Sequence, residues 1–160
     1  MNASLRGEQL IKYAQGPALL QTALARYPKE CLEFRPGEGK WSIQDIVLHL
    51  AESEVHGYVR ARTIIAEPGG GILAWDQDRW AQSLDVSAQP LAEAVDLFRL
   101  LRELLARQLR ALPEAAWSRC VVHPERGQVS LDRWLEIYVG HLDTHLAQME
   151  RTYRAFMDHH

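Results

Sequence analysis

The segment WLEIYVGHLDTHLAQME, residues 134 to 150, sets His141 and His145 four apart within helical apolar spacing. At about 100° per residue, Trp134, Tyr138, His141, His145, Thr152 and Phe156 share one narrow stripe, flanked by Leu131, Leu142 and Met149. Both imidazoles therefore lie on the inward face of a helix. Positions i and i+4 are about 5–6 Å apart at Cβ, so two rings can converge on one metal ion. The plainer alternative is a pair of core imidazoles hydrogen-bonded to Tyr138 or to a carboxylate. A third histidine, His49, falls about 110° from the centre of an earlier helix's apolar stripe. In a bundle, such an edge points into the cleft between neighbours. Three imidazoles from two helices can thus meet at one end of the core.

Other residues carry weaker chemical signals. Glu54 and Tyr138 are candidates for touching a bound water or substrate; their plainer readings are a helix-surface charge and a core aromatic. Glu52 and Glu54 could also orient a ligand imidazole. His56 falls on the flank of His49 as a surface or supporting group, and His123, in HPERG, reads as a loop residue. Asp143 falls off the inner stripe. No serine or cysteine sits beside a local base motif, and no glycine-rich phosphate loop is present.

These residues need helices to position them. A first helical stretch runs from Ser4 to Tyr27, and Gly16-Pro17 should break or kink it, because proline lacks the N–H and crowds the preceding turn. FRPGEGK is a loop. The next helix starts at Ser42, whose partner three residues on, Asp45, makes a capping-box-like pair. Ile43, Ile46, Val47, Leu50 and Val55 follow helical spacing, and Pro68 with Gly69 to Gly71 stops the helix. Residues 67 to 90 form a long connection with a short helix at AWDQDRWAQ. A third long helix spans Pro90 to Leu112. SRCVVHPERGQVS is an irregular or hairpin-like link, and the last helix runs from Ser130 to Met157. Four long helices with two long connections predict an all-α four-helix bundle in a single domain over residues 1 to 160.

Composition narrows the setting. The chain has 160 residues, 47% hydrophobic and 24% charged, a globular balance with room for a core. With 18 basic against 21 acidic residues and no block of like charge, an electrostatic nucleic-acid or membrane binder is disfavoured. No apolar run approaches the roughly 20 residues of a membrane span. The polar N-terminus lacks the apolar core of a signal peptide, and Cys31 and Cys120 form no motif, so a reduced, cytoplasmic protein is expected. His159 and His160, in a tag-like end, are set aside.

GKWSIQDIVLHLAESE, residues 39 to 54, resembles the first signature of the DinB-like (DinB/YfiT-like) superfamily. It has a tryptophan-serine helix start, a histidine followed by leucine, and then an acid. IYVGHLDTHLAQM, residues 137 to 149, resembles the second, a pair of histidines four apart near the C-terminus. HPERGQVSLDRWLEIY is similar to the stretch leading into that last helix. The resemblance implies a four-helix bundle with one divalent metal ion held by His49, His141 and His145, and a homodimer acting on a small-molecule substrate. It also implies a choice of activity. The superfamily includes bacillithiol- or mycothiol-dependent S-transferases, a mycothiol-dependent maleylpyruvate isomerase, and YfiT-like proteins read as hydrolases.

Three neutral imidazoles leave a dication its full charge and open positions, so it can lower the pKa of a water or thiol. Zinc, nickel, iron and manganese all suit the donors. Thiol transfer with a low-molecular-weight thiol cosubstrate is placed ahead of hydrolysis, because a thiolate is the better nucleophile. The alternatives are a non-catalytic metal-binding or stress-response module, and a plain bundle with structural histidines. An enzyme further needs an open cleft, with residues 67 to 90 as its lid. Trp75 and Trp80 in that connection need cover from the bundle or from a partner subunit.

Overall fold

The computed structural model of the protein describes residues 1–84 and 88–159. Residues 85–87 of the long connection, and His160, lie outside them. The long helices are α1 (Ala3–Leu24), α2 (Ile43–Ala66), α4 (Leu91–Arg110) and α5 (Leu131–His159), with a short α3 (Gln77–Ser83) in the connection. Helix α1 packs on α4 and α5, and α2 packs on the same two, so in cross-section the order is α1, α4, α2, α5. This is the expected four-helix bundle. Among the described residues, no helix is long and apolar enough to cross a membrane.

Local signals account for most helix ends. The Asn2 side chain caps α1 by accepting from the Leu5 N–H at 2.9 Å. Helix α2 has the expected capping box: Ser42 Oγ accepts from the Asp45 N–H at 3.1 Å, and Asp45 Oδ2 accepts from the Ser42 N–H at 2.8 Å. The break that the sequence allowed in the first helix is absent. Helix α1 runs through Gly16-Pro17 without a break. Both residues are buried, and a Cβ at Gly16 would overlap the Arg102 guanidinium and crowd Leu142. The packing of this tight face against α4 and α5 outweighs the local cost of proline. Leu5, Ile11 and Leu19 of this helix are exposed.

The link before α5 takes the hairpin alternative. Strands β1 (Cys120–His123) and β2 (Gly127–Ser130) pair antiparallel, with Val121 opposite Val129 and His123 opposite Gly127. Gly127 has φ 68°, the left-handed value that glycine adopts without strain. The glycine-rich start of the connection then adds to this hairpin. Ile72 N–H donates to Val122 O at 3.1 Å and Val122 N–H to Gly70 O at 2.9 Å, forming a parallel bridge. The pairing anchors the chain just before Trp75, which lies over the bundle.

The core has two parts. Leu20, Ile43, Ile46, Leu50, Phe98 and Met149 belong to one cluster. Tyr13, Ile64, Leu105, Leu131, Trp134 and Leu135 belong to the other.

Candidate metal centre and adjoining cavity

Helix α2 contributes His49 and α5 contributes His141 and His145, and the three rings converge. His49 Nε2 and His145 Nε2 each stand 3.1 Å from His141 Nε2. One nitrogen of each ring lies within 4.8 Å of the others. Two nitrogens each about 2.0–2.1 Å from a tetrahedral ion would be roughly 3.3 Å apart, so the observed spacing suits a shared ion.

The proton inventory points the same way. His145 Nδ1 lies 2.9 Å from Gln148 Oε1, an acceptor, so its proton sits on Nδ1 and its Nε2 bears a lone pair. A neutral His141 can offer at most one Nε2 proton to its two neighbours. Hydrogen bonding therefore cannot satisfy both contacts, whereas a cation between the nitrogens satisfies all three lone pairs. Burial, and then the charge of His145, lowers His49 to about 3; the same causes, with His49 added, lower His141 to about 3. Burial lowers His145 also, opposed by its bond to Gln148. The rings are thus neutral, the form that ligates a metal.

Aromatic rings wall the cluster. Trp41 lies 4.9 Å from His49 and stacks on His145 at 6.2 Å between centroids. Trp75 stacks on His49 at 5.5 Å and on His56 at 4.6 Å. Trp75 is therefore covered by its own subunit and gives no clue to a partner. Trp80 meets His56 and Trp75 edge-on and remains 41% exposed.

His141 also borders a cavity of about 200 Å³ between α2, α5, the hairpin and the connection. On its other side, His141 and His145 border a shallower depression with Trp41 and Gln148. Trp75 reaches the cavity and Gln77 reaches both, so the connection does cover the site.

Tyr138 is buried in the core and also lines the cavity. Burial raises its phenol pKa, with Glu54 adding to the rise and Arg60 opposing it, so the hydroxyl is a proton donor at neutral pH. Its ring packs against Gly57, where a Cβ would overlap it.

Glu54 is placed differently. It is 1% exposed, accepts from the Tyr13 hydroxyl, and pairs with Arg102 Nε at 2.9 Å. Arg102 also donates to the Tyr138 carbonyl at 2.8 Å. Both carboxylate oxygens thus serve a core network joining α1, α2, α4 and α5, rather than the histidine cluster. Helical periodicity puts Glu54 on a flank, but it cannot reveal a buried arginine arriving from α4.

Glu52 is half-buried, and burial raises its carboxyl pKa. Asp143 is exposed, as expected. His123, read from the sequence as a loop residue, is 7% exposed and lines the cavity with His141. Arg60 and Arg126, which the sequence did not single out, line it too. Only the pairing of the connection with the hairpin brings these residues together, and that pairing leaves no periodic signal.

A bundle carrying three converging imidazoles is the frame of a metal-binding helical family. The DinB superfamily model matches residues 12–149, and the chain belongs to that superfamily. Two relatives carry the name "Putative metal-dependent hydrolase". One, from Oceanobacillus iheyensis, is 29% identical over 83% of this chain and 77% of its own. The other, YfiT from Bacillus subtilis, is 26% identical over 91% of this chain and 85% of its own. The solved structure of YfiT has the same fold, with a TM-score of 0.89 over 98% of this chain and 90% of that one, at 22% identity. A mycothiol-dependent maleylpyruvate isomerase also shares the fold, with a TM-score of 0.72 over 89% of this chain and 60% of that one, at 15% identity.

Proposed function

We propose that the protein is a metal-dependent enzyme whose His49, His141 and His145 hold one divalent ion, and that it hydrolyses a small substrate bound in the adjoining cavity. The observation that carries this reading is the meeting of three neutral Nε2 atoms, one of which, on His141, belongs to a residue in the wall of a cavity. The names of its relatives support hydrolysis over the thiol transfer placed first from sequence. When bound, the ion would act as a Lewis acid and lower the pKa of the attacking water.

The chain's own groups do the rest. The Nδ1–H bond of His145 to Gln148 fixes that ring with Nε2 inward. Trp75 and Trp41 exclude water from the flanks of the cluster. Tyr138, held as a phenol, can donate to a substrate oxygen. His123 Nδ1 accepts from the Glu125 N–H at 3.1 Å, so the neutral ring carries its proton on Nε2. That Nε2–H can donate a hydrogen bond to a substrate oxygen in the cavity.

Thiol transfer is the second reading. The two depressions that share His141 favour it, since a cosubstrate thiol and an acceptor need separate places. Activated esters and amides, and thiol-acceptor pairs, should be assayed with metal-loaded protein. Turnover of an ester or amide without added thiol, lost in His141→Ala, supports hydrolysis; strict thiol dependence supports the second reading. No turnover of either kind, in a protein that binds its ion with a fourth protein ligand, would leave the non-catalytic metal-binding module.

The homodimer implied by the family resemblance is part of the same proposal. Exposed Leu97, Leu100 and Leu104 along α4 support it.

A further inference from the structure

The cavity beside His141 has a chemically divided lining. Ile64, Ile72, Val129, Trp134 and Ile137 supply apolar surface. Arg60 and Arg126 bring two guanidiniums to the same space, and Glu125 brings one carboxylate. Neither arginine makes a salt bridge among the described residues. Arg60 is half-buried, and its Nη2 donates to the Leu73 carbonyl at 3.0 Å. Its remaining donors face the cavity and the Tyr138 hydroxyl. Arg126 sits at the hairpin turn, close enough to His123 and His141 for its charge to act on both.

A half-buried guanidinium with no counter-ion, beside a second cation, is costly unless an anion completes it. His123 adds a neutral donor, because its Nδ1 is occupied by the Glu125 N–H and its Nε2–H has no partner among the described residues. Two guanidiniums against one carboxylate leave one net positive charge, which matches a monoanion better than a phosphate dianion. A cavity of about 150 Å³ holds a benzene ring, so about 200 Å³ takes a ring-sized apolar body with one small polar group.

We propose that this cavity is a carboxylate subsite: Arg60 and Arg126 hold the carboxylate of a small, apolar-bodied monoacid whose other end lies at His141. The assignment rests on the enzyme reading above for the role of that other end, but not for binding itself. Arginine suits the task because its planar fork pairs with both carboxylate oxygens.

Binding can be read on the whole chain without turnover, by calorimetry and by tryptophan fluorescence, since Trp75 and Trp134 line the cavity. The probes are benzoate, the uncharged benzamide of the same shape, and phenyl phosphate, each against chelator-treated protein. Benzoate should bind saturably, at least about tenfold tighter than benzamide, as expected for a charge-assisted pair. Phenyl phosphate should bind no tighter than benzoate. Arg126→Gln, at an exposed turn, should weaken benzoate about tenfold and leave benzamide unchanged. Arg60→Gln should do the same, and Arg60→Lys should recover part of the loss if the fold is intact.

Equal binding of benzoate and benzamide, indifference of benzoate to both arginine variants, or no saturable binding in the millimolar range overturns the subsite. Tighter binding of phenyl phosphate overturns the carboxylate assignment. Benzoate binding that needs added metal and vanishes in His145→Ala would put the carboxylate on the ion; the subsite falls and the enzyme reading stands. Arginine-dependent benzoate binding by a protein that takes up no metal would leave the subsite standing while the enzyme reading falls.

Discussion

His49 Nε2 and His141 Nε2 lie 3.1 Å apart although 92 residues separate them in the chain. Nothing local brings them together. The register of α2 against α5 does, and the buried Glu54–Arg102 pair helps to set it by tying α2 to the Tyr138 carbonyl one turn before His141.

That pair yields the first prediction. Glu54→Leu or Arg102→Met alone leaves a buried charge without its partner and should cost about 3–5 kcal/mol in urea unfolding. The double variant Glu54→Leu with Arg102→Met should cost less than either single change, because no charge is then stranded. Additive losses would show that the pair is not coupled.

Gly57 gives a second. A Cβ there overlaps the Tyr138 ring, so Gly57→Ala must push that ring toward the cavity or spread α2 from α5. A loss of about 1–3 kcal/mol is expected from overpacking, with weaker metal uptake than wild type. Unchanged stability and metal uptake would mean that the helices part freely here.

A third concerns pH in the presence of chelator. His49 and His141 are lowered in the folded state to about 3 from an ordinary 6.5. Below pH 6.5 the unfolded chain takes up protons that the folded chain refuses, so stability falls as pH drops toward 3 and is unaffected above 6.5. Each fully shifted imidazole contributes a slope of up to about 1.4 kcal/mol per pH unit. Melting temperatures taken down this range should fall less steeply for a His49→Gln, His141→Gln double variant. Parallel slopes would remove these two rings as the cause.

Assembly supplies a fourth. Sedimentation should find a dimer, and Leu100→Glu, in the exposed leucine row of α4, should shift it to monomer. A wild-type monomer at high concentration refutes the homodimer.

Much of the site can be read from the sequence because helical spacing and capping are local. Ser42 and Asp45 mark the start of α2, and the stripe through Trp134, Tyr138, His141 and His145 marks the inner face of α5. His49 at a helix edge needed only the bundle to bring it inward. Three features resist such reading. Pro17 stays helical because its face is buried against α4 and α5. Glu54 turns inward because Arg102 waits there. His123, Arg60 and Arg126 join the site through the pairing of Gly70 and Ile72 with Val122, a contact across 50 residues that no local pattern announces.

The metal centre itself is best tested on tag-free protein, by metal analysis combined with anomalous diffraction. One divalent ion per chain is expected, with Nε2 of His49, His141 and His145 at about 2.0–2.2 Å. At free metal about a hundred times the dissociation constant, the ion should stabilise the native state by about 2.7 kcal/mol, a gain absent in His145→Ala. A wild-type protein that takes up no zinc, nickel, iron or manganese, or a His145→Ala variant that binds the ion as well as wild type, would contradict it.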